Sequence, residues 1–176
     1  MKMRNIKHLE GRALSCLLAQ NFVTGCTVLA NRALIERALP IPANVVMHDW
    51  WLAQVAAAAG QIIYVDRALV NYRRHEDNVI GARGFIAGEN IGRILQFNQV
   101  QREIAAAMAQ AICLRERLRL IDSDKAVIGM LNDYINKMQN GGFSALGAVL
   151  RHRAFKQGLL RNSVYLLMLL EGSYRK

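Results

Sequence analysis

The sequence predicts an α/β chain, with a first half that mixes short helices and a few strands and a second half that is a mainly helical tail. Two observations carry this. Runs rich in Val, Ile, Thr, Phe and Tyr at residues 22–30, 62–65 and 68–72 have the composition of strands, and none follows residue 82. Beyond that point Phe97, Val100, Ile104, Met108 and Ile112 recur at steps of 3, 4, 4 and 4, the apolar stripe of a long amphipathic helix. The chain therefore divides into residues 1–82 and 83–176, at a change of architecture more than at a flexible linker.

Each element has a local reason. Over residues 9–20, Leu9, Ala13 and Leu17, with Leu14 and Leu18 beside them, are spaced as on a short helix. Residues 22–30 read as a buried strand, with Gly25 where a side chain would obstruct a ligand. A short helix over 32–39 is closed by Pro40, and 43–47 is a loop or brief strand. Asp49 opens a helix through Ala59, ended by Gly60 just past the last turn. Strands 62–65 and 68–72 are joined by Asp66-Arg67 in the manner of a hairpin. After the stripe helix, Asp122 or Ser123 can cap the next one, which runs to about Gln139 and stops at Gly141-Gly142. A last helical stretch covers 144–171, with Gly158 the place for a break.

Composition sets further bounds. A chain of 176 residues, 53% hydrophobic and 20% charged, is long and apolar enough for one core. Cys16, Cys26 and Cys113 are odd in number, widely spaced and without a CxxC pair. They suit reduced thiols in a cytosolic protein and offer neither a zinc site nor a disulfide framework. The longest apolar run near the C-terminus, residues 164–170, has seven residues, against the about 20 that a bilayer span needs. The basic start, Met1-Lys2-Met3-Arg4, lacks the apolar region of a signal peptide.

The net charge of +10 is uneven: residues 1–82 carry nine Lys/Arg and six Asp/Glu, whereas 83–176 carry fourteen and seven. No acid stands between Tyr134 and Leu170, a stretch that holds Lys137, Arg151, Arg153, Lys156 and Arg161. Such a stripe attracts anionic surfaces, and the tail reads either as an amphipathic helix on an anionic membrane surface, the candidate partner, or as a helix packed on its own domain with a solvated basic face. No helix-turn-helix, RNP or zinc signature accompanies the charge, so nucleic acid is not an expected partner.

Two polar runs are not explained by core packing. His48-Asp49-Trp50-Trp51 sets an imidazole, a carboxylate and two indoles on consecutive residues. Tyr72-Arg73-Arg74-His75-Glu76-Asp77-Asn78 ends an apolar stretch with three cations, two acids and an amide. Polar clusters at the ends of apolar elements are candidate site material. The order Asn21-Phe22-Val23-Thr24-Gly25-Cys26-Thr27, then His48-Asp49-Trp50-Trp51, then Gly60, then Tyr72-Arg73-x-His75-x-x-Asn78-x-x-Gly81 resembles family 2 glycosyltransferases. It looks most like their rhamnosyltransferase-like branch, which builds bacterial surface polysaccharides. The resemblance covers roughly residues 14–82, and its weight lies in the order and spacing of the motifs, each weak alone.

That resemblance implies the C-terminal part of a GT-A-like nucleotide-sugar transferase fold, with few strands in a mixed sheet. It implies inverting transfer of a sugar such as rhamnose from a nucleotide diphosphate donor to a polysaccharide or lipid-linked acceptor at the cytoplasmic face of a membrane. Asp49 matches the family's acidic residue under the acceptor site, where a carboxylate takes the proton of the attacking hydroxyl; as a bare residue it also suits a helix N-cap. The family often has Glu-Asp here, and this chain has His48-Asp49, as the rhamnosyltransferase-like branch does.

Thr24 and Gly25 resemble the strand that borders the sugar pocket. His48 is either a substrate contact or a structural partner of Asp49. Trp50 and Trp51 either both pack in the core, or one of them stacks on a sugar ring. Arg73 and His75 fall where the family neutralises the donor diphosphate, with His75 also a metal ligand, and Arg74 reads as a solvated strand end. A divalent cation, Mg or Mn, is expected for the complete enzyme and none on this chain alone.

Nothing in residues 1–20 matches the family's donor-binding half, with its βαβ units and Asp-x-Asp motif. Asp122-Ser123-Asp124 has the letters but lies in the helical tail and reads as a helix cap. The expectation is therefore a fragment, inactive alone. The alternative is a non-catalytic helical module for protein or membrane interaction.

Overall fold

The computed structural model describes residues 9–11, 13–71, 97–172 and 174. Among them run seven α-helices: α1 (Leu14–Leu17), α2 (Arg32–Ala38), α3 (His48–Ala59), α4 (Phe97–Leu120), α5 (Lys125–Asn140), α6 (Gly142–His152) and α7 (Leu159–Glu171). A 3-10 turn at Gly25–Thr27 lies between α1 and α2. α3 is the junction of the first half and packs on α1, α2 and α4; in the second half α5 packs on α4 and α6, and α7 on α6 and α4.

The stripe that predicts α4 lies at one edge of the face it buries: of its residues Ile104 is buried, Val100, Met108 and Ile112 are half-buried and Phe97 is exposed, while Ala107, Ala111, Leu114 and Leu118 complete the buried face. At the end of α4, Arg117 donates to Leu39 O at 2.9 Å and Pro40 O at 2.6 Å, fastening the chain after α2 to the later helices. α3 ends at Gly60, as its sequence predicts. The cap of α5 differs from the expectation. Asp122 has φ 45° and closes α4, with Ser123 N donating back to Leu118 O at 3.0 Å. The capping carboxylate is that of Asp124, which accepts from Ala126 N at 2.8 Å. Asp122 and Ser123 are taken up in ending one helix and cannot begin the next. The last helical stretch does break, between His152 and Leu159, and Gly158 stands before α7 with φ 98°.

The predicted mixed sheet is not there. No strand occurs among the described residues, and their β pairing is one isolated antiparallel bridge, Gly11 with Ile62, closed by bonds of 2.7 and 3.1 Å. A GT-A-like fold is thereby overturned: the described chain is all-α. β-propensity measures how well a side chain suits a pleated, half-buried surface, and it yields a strand only where a neighbouring backbone completes the ladder. Residues 22–30 find no such neighbour; Leu29, in that run, is 100% exposed. Residues 62–65 and 68–71 likewise leave Ile63 72% and Leu69 73% exposed, and Tyr72 lies outside the described residues. The bridge also explains why the helix expected over 9–20 shrinks to α1. Gly11, at φ 68°, commits its N–H and C=O to Ile62 and is lost to the helix.

One core cluster joins both halves of the chain, from Leu14, Leu17 and Trp51 to Leu114, Tyr134 and Leu169. Inside it two fully buried glutamines form a polar relay. Val46 N donates to Gln110 Oε1, Gln110 Nε2 to Gln54 Oε1, and Gln54 Nε2 to Leu17 O, each at 2.9 Å. The relay joins the chain before α3, α4, α3 and α1, and satisfies groups that would be costly to bury unpaired. Among the described residues no helix is long and apolar enough to cross a membrane.

Candidate functional site

Asp49 sits in the first turn of α3, where a carboxylate favours the helix dipole. It is not the N-cap: Met47 holds that position, without a capping side chain. The carboxylate instead reaches across to the segment after α1. Oδ2 accepts from Gly25 N at 2.8 Å, and Oδ1 accepts from Asn21 Nδ2 at 3.1 Å and Trp50 N at 2.6 Å. Only 3% of Asp49 is exposed. A carboxylate offers about four lone-pair sites, so these three donors leave, by count, one acceptor position, on Oδ2.

Gly25 is glycine for a reason of space. A Cβ there would lie 2.9 Å from His48 Nε2 and 3.4 Å from Asp49 Oδ2. The imidazole of His48 therefore lies over the Gly25 backbone, itself exposed on its outer side. No hydrogen bond joins His48 to Asp49 among the described residues, so the structural partners of the carboxylate are Asn21 and Gly25. Thr24 is exposed, and its backbone O accepts from both Thr27 N at 2.9 Å and Thr27 Oγ1 at 2.8 Å, which holds the turn open toward solvent.

Trp50 and Trp51 are both buried, and each indole N–H is satisfied. Trp50 Nε1 donates to Leu17 O at 2.7 Å and Trp51 Nε1 to Ala38 O at 2.9 Å. Of the two alternatives left by the sequence, both indoles packing in the core is the one found, and neither presents an open face to a sugar.

Asn21, Thr24, Gly25, His48 and Asp49 are thus brought together from positions up to 28 residues apart. Asn21 belongs to the recognised motif but was not expected to act. Its signal is a short amide just ahead of a β-prone run, a common turn former, and its Oδ1 does take Val23 N at 2.9 Å. The second motif, with Arg73 and His75, lies outside the described residues, as does the predicted boundary near 82. Among the described residues no three His, Cys, Asp or Glu side chains gather as a metal-ligand set. A gap with room for no more than about one water, lined by Leu18, Ile104, Tyr134, Met138, Lys156 and Tyr165, lies among other residues than these motifs.

What the arrangement can do chemically follows from these contacts. A buried anion is held in one orientation by two backbone donors, beside a glycine backbone and an exposed imidazole. It can accept one further hydrogen bond. No family model, curated protein or solved structure matches the chain.

Proposed function

We propose that this chain supplies the acceptor side of an inverting glycosyltransferase, with Asp49 as the base. As the acceptor oxygen attacks the anomeric carbon, its proton passes to Asp49 Oδ2. The bond from that carbon to the nucleotide diphosphate breaks, and the diphosphate leaves. The observation that carries the reading is the fixed carboxylate with one acceptor position left, flanked by Gly25 and His48. Thr24 and His48 are exposed beside it, and on this reading they would meet an acceptor sugar. The donor-binding residues, and the divalent cation of a complete enzyme, belong to a part outside the described residues, as Arg73 and His75 do. The reaction belongs at the cytoplasmic side of a membrane, on its inner face, where a lipid-linked acceptor would lie.

Two measurements test this. Titrating the 15N-labelled chain with rhamnose-containing oligosaccharides should shift the amide signals of Thr24, Gly25 and His48 and leave those of α5 unmoved. No shift at millimolar sugar would refute an acceptor site. The 176-residue chain, given dTDP-rhamnose and a lipid-linked acceptor, should show no transfer; turnover would overturn the assignment to the acceptor side alone. A second reading, a non-catalytic helical module, is favoured by large apolar side chains left exposed on α6 and α7.

A further inference from the structure

The outward stripes of α6 and α7 are apolar where a solvated helix would be polar. α6 turns Ala145, Ala148 and Val149 into the core. Opposite them stand Phe143, 85% exposed, and Leu150, also exposed. Seven residues apart, the two lie within about 20° of each other around the helix. α7 buries Val164, Tyr165, Met168 and Leu169. Its outward side carries Leu159, 89% exposed, and Leu170, with Leu167 beside them.

The two helices form a hairpin. They are joined by residues 153–158, and a Cβ on Gly142, at the start of α6, would lie 3.9 Å from Leu170 O, at the end of α7. The charge on this hairpin is one-sided. From 142 to 171 it has four Lys/Arg (Arg151, Arg153, Lys156, Arg161) against one acid (Glu171), a difference of +3. Lys156 is engaged with Glu103 at 3.0 Å. Arg151 has only a 3.5 Å contact with Asp133 and keeps 69% of its side chain exposed, and Arg153 is exposed after the last turn of α6.

We propose that the α6–α7 hairpin docks this protein on an anionic lipid bilayer, with Phe143, Leu150 and Leu159 entering the headgroup–acyl boundary and Arg151 and Arg153 meeting the lipid phosphates. Apolar anchors with flanking cations and no spanning helix are the physical requirements of interfacial binding. The charge selects this occupant over a second copy of the chain, because two such faces would bring Arg151 and Arg153 against the same cations. The proposal does not rest on glycosyl transfer.

Sedimentation with phosphatidylcholine vesicles, with and without a quarter phosphatidylglycerol, tests it. The chain should bind the anionic vesicles, lose most of that binding in 0.5 M salt, and bind neutral vesicles far more weakly. One cation near an anionic leaflet strengthens partition about fivefold, so R151E/R153E should weaken it by about 25-fold or more. R151Q/R153Q serves if that variant loses its helical circular dichroism, and should weaken binding less but in the same direction. F143S/L159S should weaken binding at every salt concentration. D49N should bind as the wild type does, which keeps this test separate from the catalytic reading. No binding to anionic vesicles would overturn the proposal. So would equal binding to both vesicle types, or a dimer in sedimentation velocity that F143S/L159S dissolves while vesicle binding persists.

Discussion

Replacing Asp49 by Asn keeps the shape of the side chain and removes one acceptor oxygen, which makes it the sharpest probe of the candidate site. Two of its three donors are backbone N–H groups that cannot turn: Gly25 N on Oδ2 at 2.8 Å and Trp50 N on Oδ1 at 2.6 Å. An amide has a single oxygen. Whichever way it is turned, one of those N–H groups faces an NH2 group; Asn21, the third donor, cannot flip to adapt without giving up the bond its Oδ1 accepts from Val23 N. The loss is one hydrogen bond to a charged acceptor and one poorly paired donor, together about 2–3 kcal/mol. With a urea slope of about 2 kcal/mol/M for a domain of this size, the midpoint should fall by about 1–1.5 M. Trp50 and Trp51 are buried beside the site, so their fluorescence reports the transition. Asn21→Ala, which keeps both backbone bonds to Asp49, should cost about 1 kcal/mol. An Asp49→Asn midpoint within about 0.2 M of wild type would refute the claim that this carboxylate fixes the 21–25 segment to α3. The same number decides how an activity assay is read, because a loss of transfer in Asp49→Asn implicates the base only if the protein is folded when assayed.

The buried relay gives a second prediction. Gln110→Leu leaves Val46 N–H and Gln54 Oε1 without partners and should cost about 2–4 kcal/mol. Gln54→Leu/Gln110→Leu should cost at least about 1 kcal/mol less than the sum of the single changes, and strict additivity in urea denaturation would show that the two amides are not coupled. A third concerns alkaline stability. Burial pushes the Tyr134 phenol up from 10.0 to about 12, and burial likewise raises Tyr165. A folded pKa above the unfolded one means that the stability is complete below pH 10.0 and is lost as pH rises through about 12. Phenolate absorbance from these residues should therefore appear together with loss of the helical signal. Ionisation of every tyrosine near pH 10 with helix intact would contradict that burial.

The helices were legible because each carries its own evidence. The 3, 4, 4, 4 stripe of α4 is a local pattern that reveals the helix without reference to any partner, although it shares only Ile104 with the buried face, which Ala107, Ala111, Leu114 and Leu118 complete. Gly60 and Gly141 mark real ends for the same reason. The strands failed because pairing is not local. Ile63 and Leu69 suit a sheet in type, but nothing in the run 62–71 says which backbone lies beside it. What lies beside Ile62 is Gly11, in one bridge. Asp122 and Ser123 failed on a finer scale, since three capping residues in succession can be shared between two helix ends in more than one way, and the left-handed Asp122 decides it.

The candidate site was legible as an order of motifs but not as a geometry, and Trp50 and Trp51 explain the difference. Adjacent helical residues point about 100° apart, so consecutive indoles reach two different neighbours. One N–H holds α3 to the end of α1 at Leu17, the other to the end of α2 at Ala38. Gln54, one turn on from Trp50, donates to that same Leu17 carbonyl. These three bonds fix where the first turn of α3 begins, and hence where Asp49 meets Asn21 and Gly25. The indoles that a sequence reading offers to a sugar are thus the groups that aim the carboxylate. If Asp49 is the proposed base, a substitution at Trp50 or Trp51 would act on acceptor chemistry through the position of Asp49, without either ring touching the acceptor.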